Sequence, residues 1–329
     1  MRIAVDAAGG LHAPGVAVRG VLAALRHKNA PDGIVLVGTR DQIEHELGAH
    51  YDPRIEIVDA GEPVTEAEPP LKGLLRKPHS SIVIAHQLVK QERAAAVVSA
   101  GSTGAQLAAA VLQLGKLRWL LKPALGAVIP RKRSPGFLLD VGANPTVNGI
   151  HLVQFAAMGS VFAETVLDIK KPRVALLSNG EEMNKGTDAV RTAHQILSRA
   201  RLLRFVGNIE GGDVFADKAD VIVTDGFTGN VILKFAESLP EMLGAAADDM
   251  LRALEPSRYG GVPILGVRGV SVVCHGRSNE YAVAAAILEA QRMVRIGLTE
   301  KMERLAAQLR WQRFLLRARR RGRKTGKRE

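Results

Sequence analysis

The chain has 329 residues, 47% of them hydrophobic and 33 of them glycine, which suits a soluble α/β protein with one large or two ordinary domains. Aromatic residues at 4% are too few for the stacking platforms of single-strand nucleic-acid binders, and one cysteine, Cys274, excludes internal disulfides and thiolate zinc sites and fits a reducing, cytoplasmic compartment. The net charge of +12 is concentrated at the end: residues 300–329 hold twelve Lys or Arg against three acids, which leaves only +3 for the rest.

The N-terminus enters a strand-like run at once, so no signal peptide is expected, and no apolar run approaches the ~20 residues of a bilayer span. Arg2 to Asp6 reads as a strand ending in a glycine turn that carries His12, with Pro14 opening a helix to about Arg26. Ile34 to Val37 and Arg54 to Val58 are the next strands. Thr39 with Gln42 resembles a capping box for the helix between them. Leu71 to Lys77 is short and basic, and Lys72, Arg76 and Lys77 suit a solvated face first, and otherwise an acidic carrier or phosphate. Ser80 or Ser81 can cap a helix to about Glu92.

Val97 to Ala105 reads VVSAGSTGA, a strand followed by a glycine turn and a small-residue helix. Ala124 to Ile129 and Gly136 to Val141 read as paired strands around a basic turn, and the second runs into Val141-Gly142-Ala143-Asn144. Ile150 to Leu167 has no charge before Glu164, so Phe155 and Met158 are expected in the core. Arg173 to Leu177 is a strand, and its loop carries Lys185 in the order G-x-x-x-x-K-G, which is not a P-loop. Phe205 to Ile209 is a further strand.

Ala219 to Lys234, ADVIVTDGFTGNVILK, repeats the grammar of the earlier turn. Ser99, Gly101, Thr103 and Gly104 align with Thr224, Gly226, Thr228 and Gly229. Glycines, hydroxyls and the free N–H groups of a helix start can receive a small anion, so the pair points to phosphate; tight strand-to-helix connection is the plainer alternative. Leu239 to Arg258 is helical and partly acidic. Ile264 to Val267 and Val270 to Cys274 are strands, and His275-Gly276-Arg277-Ser278-Asn279 opens a helix from Glu280 to Ile296. Cys274 and His275 point to opposite strand faces, against a Cys-His dyad.

The alternation predicts a mostly parallel, doubly wound sheet, with one domain over 1–298 and a basic tail over 299–329. G-x-G-x-x-G and G-x-S-x-G are both absent, so neither a dinucleotide nor a serine nucleophile is indicated. In the tail, Arg310, Arg313, Arg317 and Arg321 form one helical stripe, suited to an anionic membrane or an acidic partner; a solvated extension is the alternative.

The segments IAVDAAGGLHAP, VVSAGSTGA, LLDVGAN, HLVQFAAMGS, GEEMNKG, FVGNIEGGD, DVIVTDGFTGNVILK, YGG and HGRSN, in this order from Ile3 to about Ile296, resemble the PlsX-type phosphate acyltransferases of bacterial phospholipid synthesis. The resemblance implies a Rossmann-like α/β/α fold related to phosphotransacetylases and isocitrate dehydrogenases. It also implies a cytoplasmic homodimer without cofactor or metal, and transfer of an acyl group from acyl-carrier protein to inorganic phosphate. Phosphate is then the nucleophile, so positioning and charge stabilisation suffice.

On that reading Gly101, Ser102, Thr103 and Gly104 cradle phosphate with Lys185 as its cation. Asn144, Thr228, Gly229 and Asn230 join the binding set, His12 or His275 protonates the departing thiolate, and Asp225 orients a partner. The sequence departs from the family at Ala8 and Leu11, where Met and Asp are common, and at Ser102, where Asn is common. The arm between Lys234 and Tyr259 is shorter, and the basic tail is expected to take over peripheral membrane attachment. The competing classes are a coenzyme A-dependent phosphotransacetylase, a dehydrogenase on the same fold and a non-catalytic scaffold.

Overall fold

The computed structural model describes residues 1–131, 134–243 and 261–308. The strands are β1 (Arg2–Asp6), β2 (Gly33–Gly38), β3 (Ile55–Asp59), β4 (Ala96–Ser99), β5 (Ala124–Ile129), β6 (Gly136–Leu139), β7 (Arg173–Leu177), β8 (Arg204–Ile209), β9 (Val221–Val223), β10 (Val262–Leu265) and β11 (Val270–Val273). Between them run α1 (Gly15–Leu25), α2 (Arg40–Leu47), α3 (Pro70–Arg76), α4 (Ser81–Lys90), α5 (Thr103–Gln113), α6 (Gly149–Thr165), α7 (Asp188–Leu197), α8 (Gly226–Leu243) and, after β11, α9 (Glu280–Arg295).

Most strands fall within a residue of the sequence reading, and β6 stops two residues early, at Leu139 rather than Val141. β9 spans only Val221–Val223, although backbone bonds continue on either side of it: Asp220 N–H donates to the Arg173 carbonyl at 2.7 Å and Thr224 N–H to the Leu139 carbonyl at 2.8 Å. β10 lies two residues earlier than 264–267 because Gly266 takes φ +91°, which ends the extended run. Thr39 and Ser80 do occupy N-cap positions, but neither side chain makes a capping bond. Arg40 N–H donates to the Asp59 carboxylate instead.

The eleven strands form one sheet in the order β3-β2-β1-β4-β11-β10-β5-β6-β9-β7-β8. β3, β2, β1, β4 and β11 are mutually parallel, and so are β6, β9, β7 and β8. The pairings β11/β10, β10/β5 and β5/β6 are all antiparallel. Three reversals in a row leave the second block running opposite to the first. The sheet is mostly parallel, as expected, but its strand carboxyl ends do not share one edge.

Alternate residues of each strand face opposite layers, which is the period-two rule written into the core. Ile3, Val5, Leu36, Phe137 and Leu139 pack under α1, α2, α6, α7 and α9. Ala4, Val35 and Leu138 face α3, α4, α5 and α8. The result is a three-layer α/β/α arrangement. Phe155 and Met158 of α6 are buried as expected, and Phe162 stacks on Phe137 with centroids 4.0 Å apart. Residues 298–308 are helical and bury Leu298, Met302 and Ala306 in the first layer's core. The expected arginine stripe from Arg310 and the continuation of α8 through Arg258 lie outside the described residues.

Candidate active site

The two turns with matching sequence begin their helices at different points. After β4, Ser102 is the N-cap of α5 and accepts from Ala105 N–H at 3.4 Å. After β9, Asp225 takes that role two alignment positions earlier: its carboxylate accepts Thr228 N–H at 2.9 Å and the Thr228 hydroxyl at 2.8 Å. The Thr228 proton is therefore already committed.

Each turn is seated on a neighbouring loop that a buried aspartate organises. Asp6, at the end of β1, accepts the Ser99 hydroxyl at 2.7 Å and Ala8 N–H at 3.1 Å, and Ser99 Oγ in turn accepts Gly101 N–H at 3.0 Å. Asp140, just past β6, accepts N–H groups from Leu125, Gly142, Ala143 and Asn144 together with the Asn144 amide. Burial raises both carboxyls above the usual range, and hydrogen-bond donors offset only part of that rise. The glycines serve this seating. A Cβ at Gly229 would lie 1.9 Å from the Asp140 carbonyl oxygen, and one at Gly104 would lie 2.6 Å from Cγ of Pro70.

Because the two blocks of the sheet oppose each other, α5 and α8 start at opposite ends of the seam strands β5 and β10. A cavity of about 400 Å³ lies between these helices on the second face of the sheet. Leu107, Leu125, Ala127, Leu233 and Val273 give it an apolar wall, Thr103, Gly104 and His275 line it, and so do Gly142, Gly226 and Asn230. A cavity of this size with few convergent polar groups has the make-up of a small-molecule site. Lys234 and Glu237, one and two turns beyond Asn230 on α8, also line it and pair at 2.7 Å.

His275 is half-buried, and its Nδ1 accepts Arg277 N–H at 3.1 Å. That bond leaves the neutral ring's proton on Nε2, a donor for developing negative charge. Burial first, and Lys234 second, push its pKa down, so the neutral form prevails at neutral pH. Cys274 also borders the cavity, but burial pushes its thiol up to about 12, which keeps it protonated.

Of the residues expected from sequence, Thr103, Gly104, Asn230 and His275 therefore meet around one cavity. Gly101, Ser102, Asp225, Thr228 and Gly229 form the turns behind it. Asn144 is buried, its amide donating to the Pro123 carbonyl and to Asp140. His12 is exposed beside a separate small cleft, though its loop touches the His275 loop through Leu11 N–H to the Gly276 carbonyl at 3.1 Å. Lys185 is exposed on the loop after β7 and is not among the cavity's lining residues. Lys234 was legible but overlooked: Gly226, Asn230, Leu233, Lys234 and Glu237 recur at the spacing of one helix face.

The fold has known counterparts. Phosphotransacetylases from Streptococcus pyogenes (TM-score 0.61, 17% identity, 89% of this chain and 94% of that one) and Staphylococcus aureus (0.60, 14%, 89% and 94%) share the fold. A 4-hydroxythreonine-4-phosphate dehydrogenase from Klebsiella pneumoniae matches less well (0.52, 15%, 89% and 99%). These likenesses define a Rossmann-like α/β class.

Within that class the sequence is more specific. A family model described as "Fatty acid synthesis protein" matches residues 1–254 and 242–301. Proteins named "Phosphate acyltransferase" from Heliobacterium modesticaldum and Moorella thermoacetica are 44% and 43% identical, covering 91% of this chain and 95% and 94% of theirs. The chain belongs to the phosphate acyltransferase family.

Proposed function

We propose that the protein transfers a fatty acyl group from acyl-carrier protein to inorganic phosphate, yielding acyl phosphate for phospholipid synthesis. The observation that carries this reading is the single cavity in which an apolar wall, helix-start donors and a neutral histidine meet. A phosphate oxygen forms the new bond to the thioester carbonyl carbon, the carbonyl π electrons move onto oxygen, and collapse expels the carrier thiolate. No covalent enzyme intermediate and no cofactor are required, only alignment and stabilisation of charge.

In this reading Thr103 and Gly104, with the 101–104 turn behind them, hold phosphate. Lys234 supplies the cation nearest to them, and Asn230 donates to the carbonyl oxygen. His275 Nε2–H stabilises or protonates the leaving thiolate. His12 keeps a supporting position on the loop that touches the His275 loop, and Lys185, on the loop after β7, is read as the lesser cation. Residues 1–298 are read as the catalytic domain. The protein is read as a cytoplasmic homodimer, supported by the exposed stripe Phe227, Val231, Phe235 and Met242 on α8. The basic residues beyond 308 are read as a peripheral contact with anionic membrane.

The test follows free thiol and acyl phosphate (trapped as hydroxamate) with acyl-carrier protein and with acyl-coenzyme A, each with and without phosphate. Phosphate-dependent release from the carrier is expected. Release from coenzyme A alone would make it a phosphotransacetylase. Lys234→Met is expected to lower kcat at least a hundredfold and Lys185→Met less than tenfold; the reverse ranking would return the cation's role to Lys185.

A further inference from the structure

α3 turns a leucine row and a basic row outward side by side. Leu74 is buried against α4 and α5, while Leu71 and Leu75 are 52% and 71% exposed. Lys72 and Arg76 are exposed beside them at the same four-residue spacing. Lys77 is already engaged, bonded to the Glu68 carboxylate at 2.9 Å and the Pro63 carbonyl at 3.0 Å. Lys72 and Arg76 form no ion pair among the described residues, so their charge is available. The helix stands at the cavity wall, since Pro70 of α3 lies over Gly104, which lines the cavity.

The geometry points to this face of α3 as the docking surface for the acyl carrier, engaging an acidic amphipathic helix of that partner. This rests on the proposed function, and it names where the same cavity receives its thioester. The carrier's acidic side chains meet Lys72 and Arg76 while its apolar ridge covers Leu71 and Leu75. The arm bearing the thioester then has a short path past Pro70 into the cavity. Opposite charge steers encounter and fixes register, and the leucine pair supplies the apolar contact. An anionic membrane is the weaker fit, because a seven-residue helix offering two leucines gives little area to insert.

The deciding variant is Lys72→Glu with Arg76→Glu, both exposed and outside the cavity. With phosphate saturating, KM for acyl-carrier protein should rise at least tenfold with kcat nearly unchanged. Turnover of a short acyl-pantetheine thioester should stay within twofold. Fluorescence anisotropy with labelled holo-carrier protein should show at least tenfold weaker binding, and wild-type binding should weaken with added salt more than the variant's.

Unchanged carrier binding in the variant overturns the assignment. So does an equal loss with the small thioester, which would mean damage to the cavity. Loss of binding to phosphatidylglycerol vesicles with carrier binding intact would reassign the face to lipid and overturn it as well. A wild-type enzyme that binds carrier through this face yet releases no thiol would refute the proposed reaction and leave the docking surface standing.

Discussion

The turn after β4 and the turn after β9 read alike in sequence, with hydroxyl and glycine at the same offsets, but the structure uses them differently. The first is loosely seated: its N-cap bond is 3.4 Å, and the neighbour over Gly104 is a proline ring. The second is locked, with Asp225 holding Thr228 by two bonds and the Asp140 carbonyl oxygen pressed against Gly229. Matching spacing thus reports a shared need for close approach between loops. It does not by itself report a shared ligand, and the free donors that face the cavity are a subset of the motif.

The contrast is sharpest at the two glycines. Gly229→Ala is expected to cost about 4 kcal/mol, because backbone must move to admit the methyl group, whereas Gly104→Ala costs about 1 kcal/mol by a shift of the Pro70 ring. Urea unfolding of both variants measures the difference. Equal losses would mean that the two turns are seated alike.

A second test separates the halves by pH. Beneath the first turn, Gln106 Nε2 donates to Ser271 Oγ, which lies 3.1 Å from His86 Nε2, and His86 Nδ1 lies 2.7 Å from the Ile82 carbonyl oxygen. That carbonyl can only accept, so Nδ1 carries the proton and Nε2 accepts from Ser271. Burial pushes the His86 pKa down from 6.5 to about 4. The fold excludes a proton that the unfolded chain binds, so stability is full above pH 6.5 and falls as pH drops toward 4, by up to ~3 kcal/mol. In His86→Gln this part of the acid loss should vanish from urea midpoints between pH 7 and 4; an unaltered slope would show that His86 does not govern it.

The smallest expected difference concerns the two aspartates. Asp140→Asn should cost about 2 kcal/mol, since an amide N–H would then face backbone donors, and Asp6→Asn about 1 kcal/mol, since the Ser99 hydroxyl can reorient. Thermal unfolding should rank them in that order, and the reverse ranking would make the β1 loop the tighter knot.

Much of the fold was legible because its strands are dense in β-branched and aliphatic residues bounded by glycine. The run Arg173 to Leu177 coincides with β7. The buried character of α6 followed from its lack of charge, and Thr103, Gly104, Asn230 and His275 were legible as turn residues. The reversal between the two sheet blocks was not, because it depends on β10 inserting between β11 and β5, a pairing no local period encodes. The His86, Ser271 and Gln106 bonds were hidden for the same reason, joining residues 165 and 185 positions apart. Lys185 stands out in sequence as a lysine among glycines, while Lys234 sits in an apolar helical run and shares a face with Asn230 only at helical spacing.

The position of β10 and β11 also bears on synthesis. These late strands fill the middle of the sheet, so a nascent chain ending before residue 262 has two partial sheets with open edges at β4 and β5. The ribosome must deliver most of the polypeptide before those edges can be closed. Premature termination in this region removes the keystone and leaves both flanks exposed to aberrant strand pairing.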